Sequence, residues 1–410
     1  MMNKINKNTR QNNIPGYLPA LDFLRAICTI LIFVFHNWQQ TWLTSPLRIG
    51  GFSFEILQRY GYIAVDAFFV MSGFGLFYPI ARNMFGESKQ VSWHDFYIKR
   101  LRRILPSYYF MLILLLIFPV LSYTAYDVNN ALDVLKHFGL HALFLHILTP
   151  ETLGSVISTA WTMGIEVIFY IFFPIIAKIF KKKPPIVFAV IFIINQAIRL
   201  MVASKPDVRM YTMVNPILYV DIFAWGMLSA YLVVYVRNKF LTTNLSSVLM
   251  TITSILCLAG VYFYVCWMGS AHLEGYDMST YHRLLYRFIP SGLFAGFLFF
   301  ATFSSKLWLK FLGNKLFAFI STISYSFYLW HQNIHIFLRK LNIPHTVADP
   351  VMNDRQAMIG FMLLSIVISV AIAIFSTYCI EKPIVKYGFS GCAKRILGLF
   401  KKRSEQSISK

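Results

Sequence analysis

An all-α polytopic membrane protein, a bundle of about ten transmembrane helices with both termini cytoplasmic, is the fold this sequence predicts. Three observations lead there. Of 410 residues 57% are hydrophobic and only 13% charged, with a mean hydropathy of +0.58, too little polar surface to cover so much apolar area in water. Apolar runs long enough to cross a bilayer recur along the whole chain. The basic residues fall between those runs, alternately dense and sparse.

The runs lie at about 26–42, 60–80, 104–123, 159–180, 185–203, 216–236, 245–267, 288–303, 316–338 and 357–379. With residue 1 inside, the inner segments carry 26 of the 38 Lys and Arg, against 10 in outer loops, the asymmetry of a positive-inside topology. That distribution explains the net charge of +21 better than a nucleic-acid partner does, and none is expected. The five cysteines are scattered with no CxxC pair, so neither a disulfide framework nor a metal site is indicated. Residues 1–20 read as a polar cytoplasmic lead-in, 21–390 as the transmembrane domain and 391–410 as a basic cytoplasmic tail. Within the longer connections, His94 to Arg103 reads as an amphipathic interfacial segment, and His137 to Leu148 as a weak helix too short to span.

Candidate chemistry begins in the first run. Arg25 and His36 are eleven residues apart, so on a helix they share a face roughly 16 Å apart along the axis. Ionisable groups within a span usually mark a pathway or a site. The plain alternative makes Arg25 an anchor paired with Asp22 and His36 a packing residue. His36, Asp66, Glu166, Asp221 and His331 all fall roughly 7–12 Å below the outer ends of their spans, as though gathered in one hydrated pocket. Asp66 or Glu166 could fix the tautomer of His36 and support it as a general base; a polar packing network or a proton relay accounts for the same layer. His331, after the aromatic run Ser324 to Trp330, fits an aromatic interfacial belt better than catalysis. Arg100, Arg102 and Arg103 sit at the opposite, inner face, where such a cluster anchors topology or grips phosphates. Ser72, Trp161 and Tyr170 are further candidates for contacting substrate.

Several motifs together resemble the acyltransferase-3 family of bacterial integral-membrane O-acyltransferases. They are Arg25 with His36, Val65-Asp66-Ala67-Phe68-Phe69-Val70-Met71-Ser72-Gly73-Phe74, Arg100-Leu101-Arg102-Arg103-Ile104-Leu105-Pro106, and Trp161 through Glu166 to Tyr170. Ser324-Tyr325-Ser326-Phe327-Tyr328-Leu329-Trp330-His331 and Ile380-Glu381-Lys382-Pro383 complete the set. The resemblance covers about residues 17–390. It implies an enzyme of the bacterial cytoplasmic membrane that moves an acyl group, acetyl first among the expectations, from cytoplasmic acyl-CoA to a hydroxyl of an extracytoplasmic glycan or lipid-linked saccharide. Arg25 and His36 would be the essential pair, Arg100 and Arg103 would meet the coenzyme, and Glu166 would support the site; no metal is implied. Many relatives carry an appended soluble hydrolase-like domain that this chain is expected to lack, so transfer would be direct or use a separate partner protein, with a homo-oligomer also open.

Physically, the phosphate-rich head of coenzyme A would stay with the inner arginines while its arm threads along the Arg25–His36 face, which calls for one continuous passage between them. The competing function is a transporter or flippase for a lipid-linked sugar or acylated metabolite. No internal repeat or paired set of broken helices supports it.

Overall fold

A computed structural model describes residues 18–43, 48–49, 52–122, 127, 129–204, 214–240, 243–273, 282–344, 354–392 and 394–395. Most of the lead-in and the tail from 396 lie outside these residues. The described chain is helical apart from a two-residue antiparallel pair, β1 (Arg48–Ile49) with β2 (Phe52–Ser53), a small departure from the all-α expectation.

Each apolar run has become a helix. The first is α1, Pro19–Thr41, started by a proline at its first turn and ended by Trp42 in the left-handed region. After β2 come the short α2 (Phe54–Tyr60), a 3-10 turn over Gly61–Ile63 and α3 (Ala64–Met84). The interfacial segment and the third run fuse into α4, Trp93–Ile117, capped by Ser92, whose Oγ accepts from the Asp95 amide at 3.3 Å. The short loop helix is α5 (Ala131–Ala142), followed by a 3-10 turn at His146–Leu148. Then follow α6 (Trp161–Phe180), α7 (Pro184–Ala203), α8 (Val220–Lys239) and α9 (Asn244–Leu273). A π turn at His282–Tyr286 leads into α10, Phe288–Thr302. The short α11 (Lys306–Leu312), α12 (Lys315–Lys340) and α13 (Arg355–Phe375) complete the bundle, and α13 runs into a second π turn at Ser376–Glu381.

Among the described residues seven helical segments are long and apolar enough to cross a membrane. The three other expected spans fall short for identifiable reasons. The first half of α4 carries Lys99, Arg100, Arg102 and Arg103, and α12 is interrupted by serines and histidines and ends in Arg339 and Lys340. The third, α10, has only 15 residues.

Helix α3 is the centre of the packing, clasped by α1 and α8. Its closest approach uses glycine on both sides: a β-carbon on Gly73 would overlap the Phe223 carbonyl, and one on Gly226 the Val70 carbonyl. Small residues let transmembrane backbones meet at this range. Helix α12 lies along α1 and α13. On the outside of the bundle α7 and α9 leave long apolar faces uncovered, among them Ile193 at 65% and Phe263 at 68% exposure, as lipid contact demands. The isolated α5 buries His137, Phe138 and His141 and exposes Leu132 and Leu135, the pattern of a helix lying in an interface.

Candidate active site

The ionisable residues expected in one outer layer are sorted into separate groups. Asp221 and Arg199 form a fully buried pair, with the two guanidinium nitrogens 2.5 and 2.7 Å from the carboxylate oxygens. The guanidinium also donates to the Leu218 carbonyl at 2.5 Å. Asp66 is engaged by Arg287, whose guanidinium stacks 3.9 Å from the Tyr219 ring, and by His282 Nε2 at 3.3 Å. His282 Nδ1 is 2.6 Å from the Tyr264 hydroxyl. Each buried charge thus has its opposite within reach, which is how such charges are tolerated. The expectation that all five residues meet in one pocket is corrected: Asp66 and Asp221 answer arginines on α7 and just ahead of α10. Of these arginines, Arg199 lies within an apolar run, a visible oddity, whereas Arg287 read as an ordinary loop residue.

Glu166 stands elsewhere, in a cavity of about 270 Å³ between α1, α3, α4, α6 and α12. Arg25, Arg100 and Arg103 line it together with Ser72, Tyr170 and the aromatic residues Tyr325 and Tyr328. The Glu166 carboxylate accepts a hydrogen bond from Ser72 Oγ at 2.7 Å and a second from the Tyr170 hydroxyl. Both acceptances fix its orientation toward the interior. Arg100 reaches in from α4 with its guanidinium 5.9 Å from the Tyr170 ring and 5.8 Å from that of Phe96. Its Nε is buried without a hydrogen-bond partner, an orphaned donor of the kind a bound oxyanion satisfies. Arg103 is more exposed and borders the opening. Arg25 donates to Ser321 Oγ at 3.5 Å, and Ser321 donates to Asp22 at 2.5 Å, so the Arg25–Asp22 pairing foreseen as the plain alternative exists through a serine.

Arg102 does not line the cavity. Its guanidinium packs beside Gly388, where a β-carbon would come within 2.9 Å of it, so it ties α4 to the segment after α13. Trp161 is likewise outside, its ring 6.1 Å from that of Tyr219. Tyr325 was not foreseen as a site residue, though it sits in a recognised motif. It lines the cavity while donating to the Ile104 carbonyl at 2.8 Å.

The histidines form a further cluster. The His36 and His331 rings are 5.2 Å apart between centroids, and His331 is 6.1 Å from His335. His331 is 0% exposed, buried among helices instead of in an aromatic belt. Its Nδ1 faces the Tyr328 carbonyl at 2.8 Å and that of Phe327 at 3.2 Å. A carbonyl can only accept, so Nδ1 carries the proton and Nε2, buried without a partner, is left as the basic nitrogen. His36 is half-buried, with Nδ1 2.8 Å from Gln39 Oε1. Neither His36 nor His331 lines the cavity that holds Arg25. The single continuous passage expected between Arg25 and His36 is thus not what the lining of this cavity describes: Tyr328 lines it, and the Tyr328 ring is 5.7 Å from that of His331. Among the described residues no group of His, Cys, Asp and Glu is arranged to hold a metal.

Such an arrangement can bind an anion at one end and take up a proton at the other. Known proteins point to the same class. A family model described as an acyltransferase domain matches residues 18–378. The peptidoglycan O-acetyltransferase OatA of Listeria monocytogenes serovar 1/2a is 26% identical over 392 residues, 91% of this chain and 56% of that protein. The O-acetyltransferase OatA of Staphylococcus aureus (strain NCTC 8325 / PS 47) is 24% identical over 394 residues, 92% of this chain and 59% of that protein. The chain therefore spans a little over half the length of these curated relatives. No solved structure matches it. With the family model covering most of the chain, this protein belongs to the acyltransferase-3 family.

Proposed function

We propose that the protein is a ten-span O-acyltransferase of the bacterial cytoplasmic membrane, both termini inside, moving an acetyl group from cytoplasmic acetyl-CoA to a hydroxyl of an extracytoplasmic glycan. The observation that carries this reading is the cavity lined by Arg25, Arg100, Arg103 and a fixed Glu166 inside an apolar bundle, with His331 beside its lining residue Tyr328 and His36 beside His331. The named activity of the relatives, O-acetylation of peptidoglycan in one case, supports a glycan acceptor, and the charge asymmetry of the loops supports the orientation.

In this reading Arg100 and Arg103 grip the phosphates of the donor, since guanidinium forks suit phosphate oxygens and stay charged at any working pH. The arm bearing the thioester enters beside Arg25, Ser72 and Tyr170. Glu166, already accepting two hydrogen bonds, holds Ser72 and Tyr170 in place and offsets the arginine charge. His36 takes the proton from the acceptor hydroxyl as its oxygen forms the new C–O bond; the C–S bond breaks and coenzyme A leaves as a thiol after protonation. No residue is assigned to the oxyanion.

The test uses the purified full chain in lipid nanodiscs with radiolabelled acetyl-CoA and peptidoglycan fragments as acceptor. Label should move to the glycan and free thiol should appear in equal amount. Thioester that is never consumed above background across a panel of glycan acceptors would overturn the proposal.

A further inference from the structure

We propose that Tyr328, backed by Phe68, is the partition between the donor cavity and the histidines, and that its phenol ring sets the size of acyl group that crosses. Resting on the acyltransfer reading, this adds a specificity-determining residue to it.

The geometry carries the proposal. Tyr328 and Phe68 both line the cavity, and their rings pack edge to face with centroids 5.9 Å apart. On its other side the Tyr328 ring is 5.7 Å from His331, which is 5.2 Å from His36. One side chain thus joins the cavity wall to the histidine cluster. It is also held at both ends. Thr162 Oγ1 has two acceptors for its proton, the Thr159 carbonyl at 3.0 Å and the Tyr328 hydroxyl oxygen at 3.1 Å, so the phenol end of the side chain rests against Thr162. At the backbone, the Tyr328 carbonyl accepts from His331 Nδ1 at 2.8 Å and from Thr159 Oγ1 at 3.3 Å.

An acyl group carried on a thin arm must pass this ring or displace it to reach the histidines. Two carbons ask little of the partition. Each added methylene has to find room against a ring packed between Phe68 and His331, and a methylene misfit in an apolar pocket changes discrimination by about tenfold or more. The same ring keeps outer water from the thioester.

Two measurements on the full chain test this. In nanodiscs, acetyl-, propionyl- and butyryl-CoA are compared for transfer to peptidoglycan fragments and for hydrolysis without acceptor. Wild type should favour acetyl; Tyr328→Ala should narrow the acetyl-to-butyryl preference by about tenfold or more and raise acceptor-free hydrolysis, while Tyr328→Phe should keep the preference. Separately, in sealed proteoliposomes, Ser324→Cys places a thiol in the cavity wall. A membrane-impermeant maleimide added from the face where α1 ends should label that peptide only when Tyr328→Ala is also present. Labelling with Tyr328 intact, or an unchanged donor preference in active Tyr328→Ala, overturns the partition. If no variant transfers acyl groups while labelling follows the expected pattern, the partition stands and the acyltransfer reading is what fails.

Discussion

Replacing Asp66 by Asn should destabilise the bundle more than it alters chemistry. The substitution leaves the Arg287 guanidinium, 3% exposed and stacked on Tyr219, with no carboxylate to answer it. Removing one partner of a buried ion pair costs about 3–5 kcal/mol, roughly a hundred- to several-thousand-fold in the ratio of folded to unfolded protein. Arg287→Met should cost a similar amount, because it strands the carboxylate beside His282 alone. Combining Asp66→Asn with Arg287→Met removes both charges, so the double variant should recover most of the loss, with a coupling of about 2 kcal/mol or more. The assay is the half-life of monodisperse protein in detergent at a series of temperatures, with donor turnover measured on the surviving fraction. Single variants as long-lived as wild type but unable to consume thioester would refute the reasoning and return Asp66 to the reaction.

Other consequences divide by compartment. Arg100→Ala with Arg103→Ala should weaken acetyl-CoA binding at least tenfold, measured by calorimetry, and leave acceptor binding unchanged; equal donor affinity would reduce both arginines to topology anchors. His36→Ala should abolish transfer with donor affinity intact, and wild-type turnover would remove it from the mechanism. Gly226→Ala brings a methyl to within 2.6 Å of the Phe74 amide nitrogen, so α3 and α8 must separate at a cost of about 1–3 kcal/mol or more. An unchanged thermal half-life in that variant would mean the two helices are not in contact as described.

The membrane class and the helical character of the apolar runs were legible in the sequence, because a spanning helix is a compositional signal. Pairing was not. Asp221 meets Arg199 and Asp66 meets Arg287 across separations of 22 and 221 residues, and a shared depth says nothing about azimuth or about which neighbour a helix faces. For the same reason Glu166 was placed with the cavity only by its motif, while its true partners Ser72 and Tyr170 were on hand only as isolated candidates. Tyr328 lay within the Ser324–His331 motif, but nothing there set it apart from the other aromatic side chains of the run. His335, one turn beyond His331 and fully buried against Phe33 and Phe361, was hidden by the assumption that this stretch lay in an interface.

The separation of arginines from histidines has a physical logic under the proposed reaction. A donor rich in phosphate needs fixed positive charge and access to water on its own side, whereas a neutral imidazole works as a base only if no cation sits against it. Arg25 and His36 share one helix face with about 16 Å between them, a separation that leaves about 1 kcal/mol of their interaction at an effective dielectric of about 20. Binding the coenzyme then adds negative charge on the arginine side alone, leaving the basicity of the imidazoles largely undisturbed. If the two groups shared one open pocket, donor phosphates would raise the affinity of His36 for a proton and make turnover depend on donor occupancy as well as pH. The pH profile of transfer measured at low and at saturating acetyl-CoA discriminates between these arrangements: the partitioned site predicts a common inflection, and an inflection that moves upward by a full unit with saturation would show that the compartments are joined.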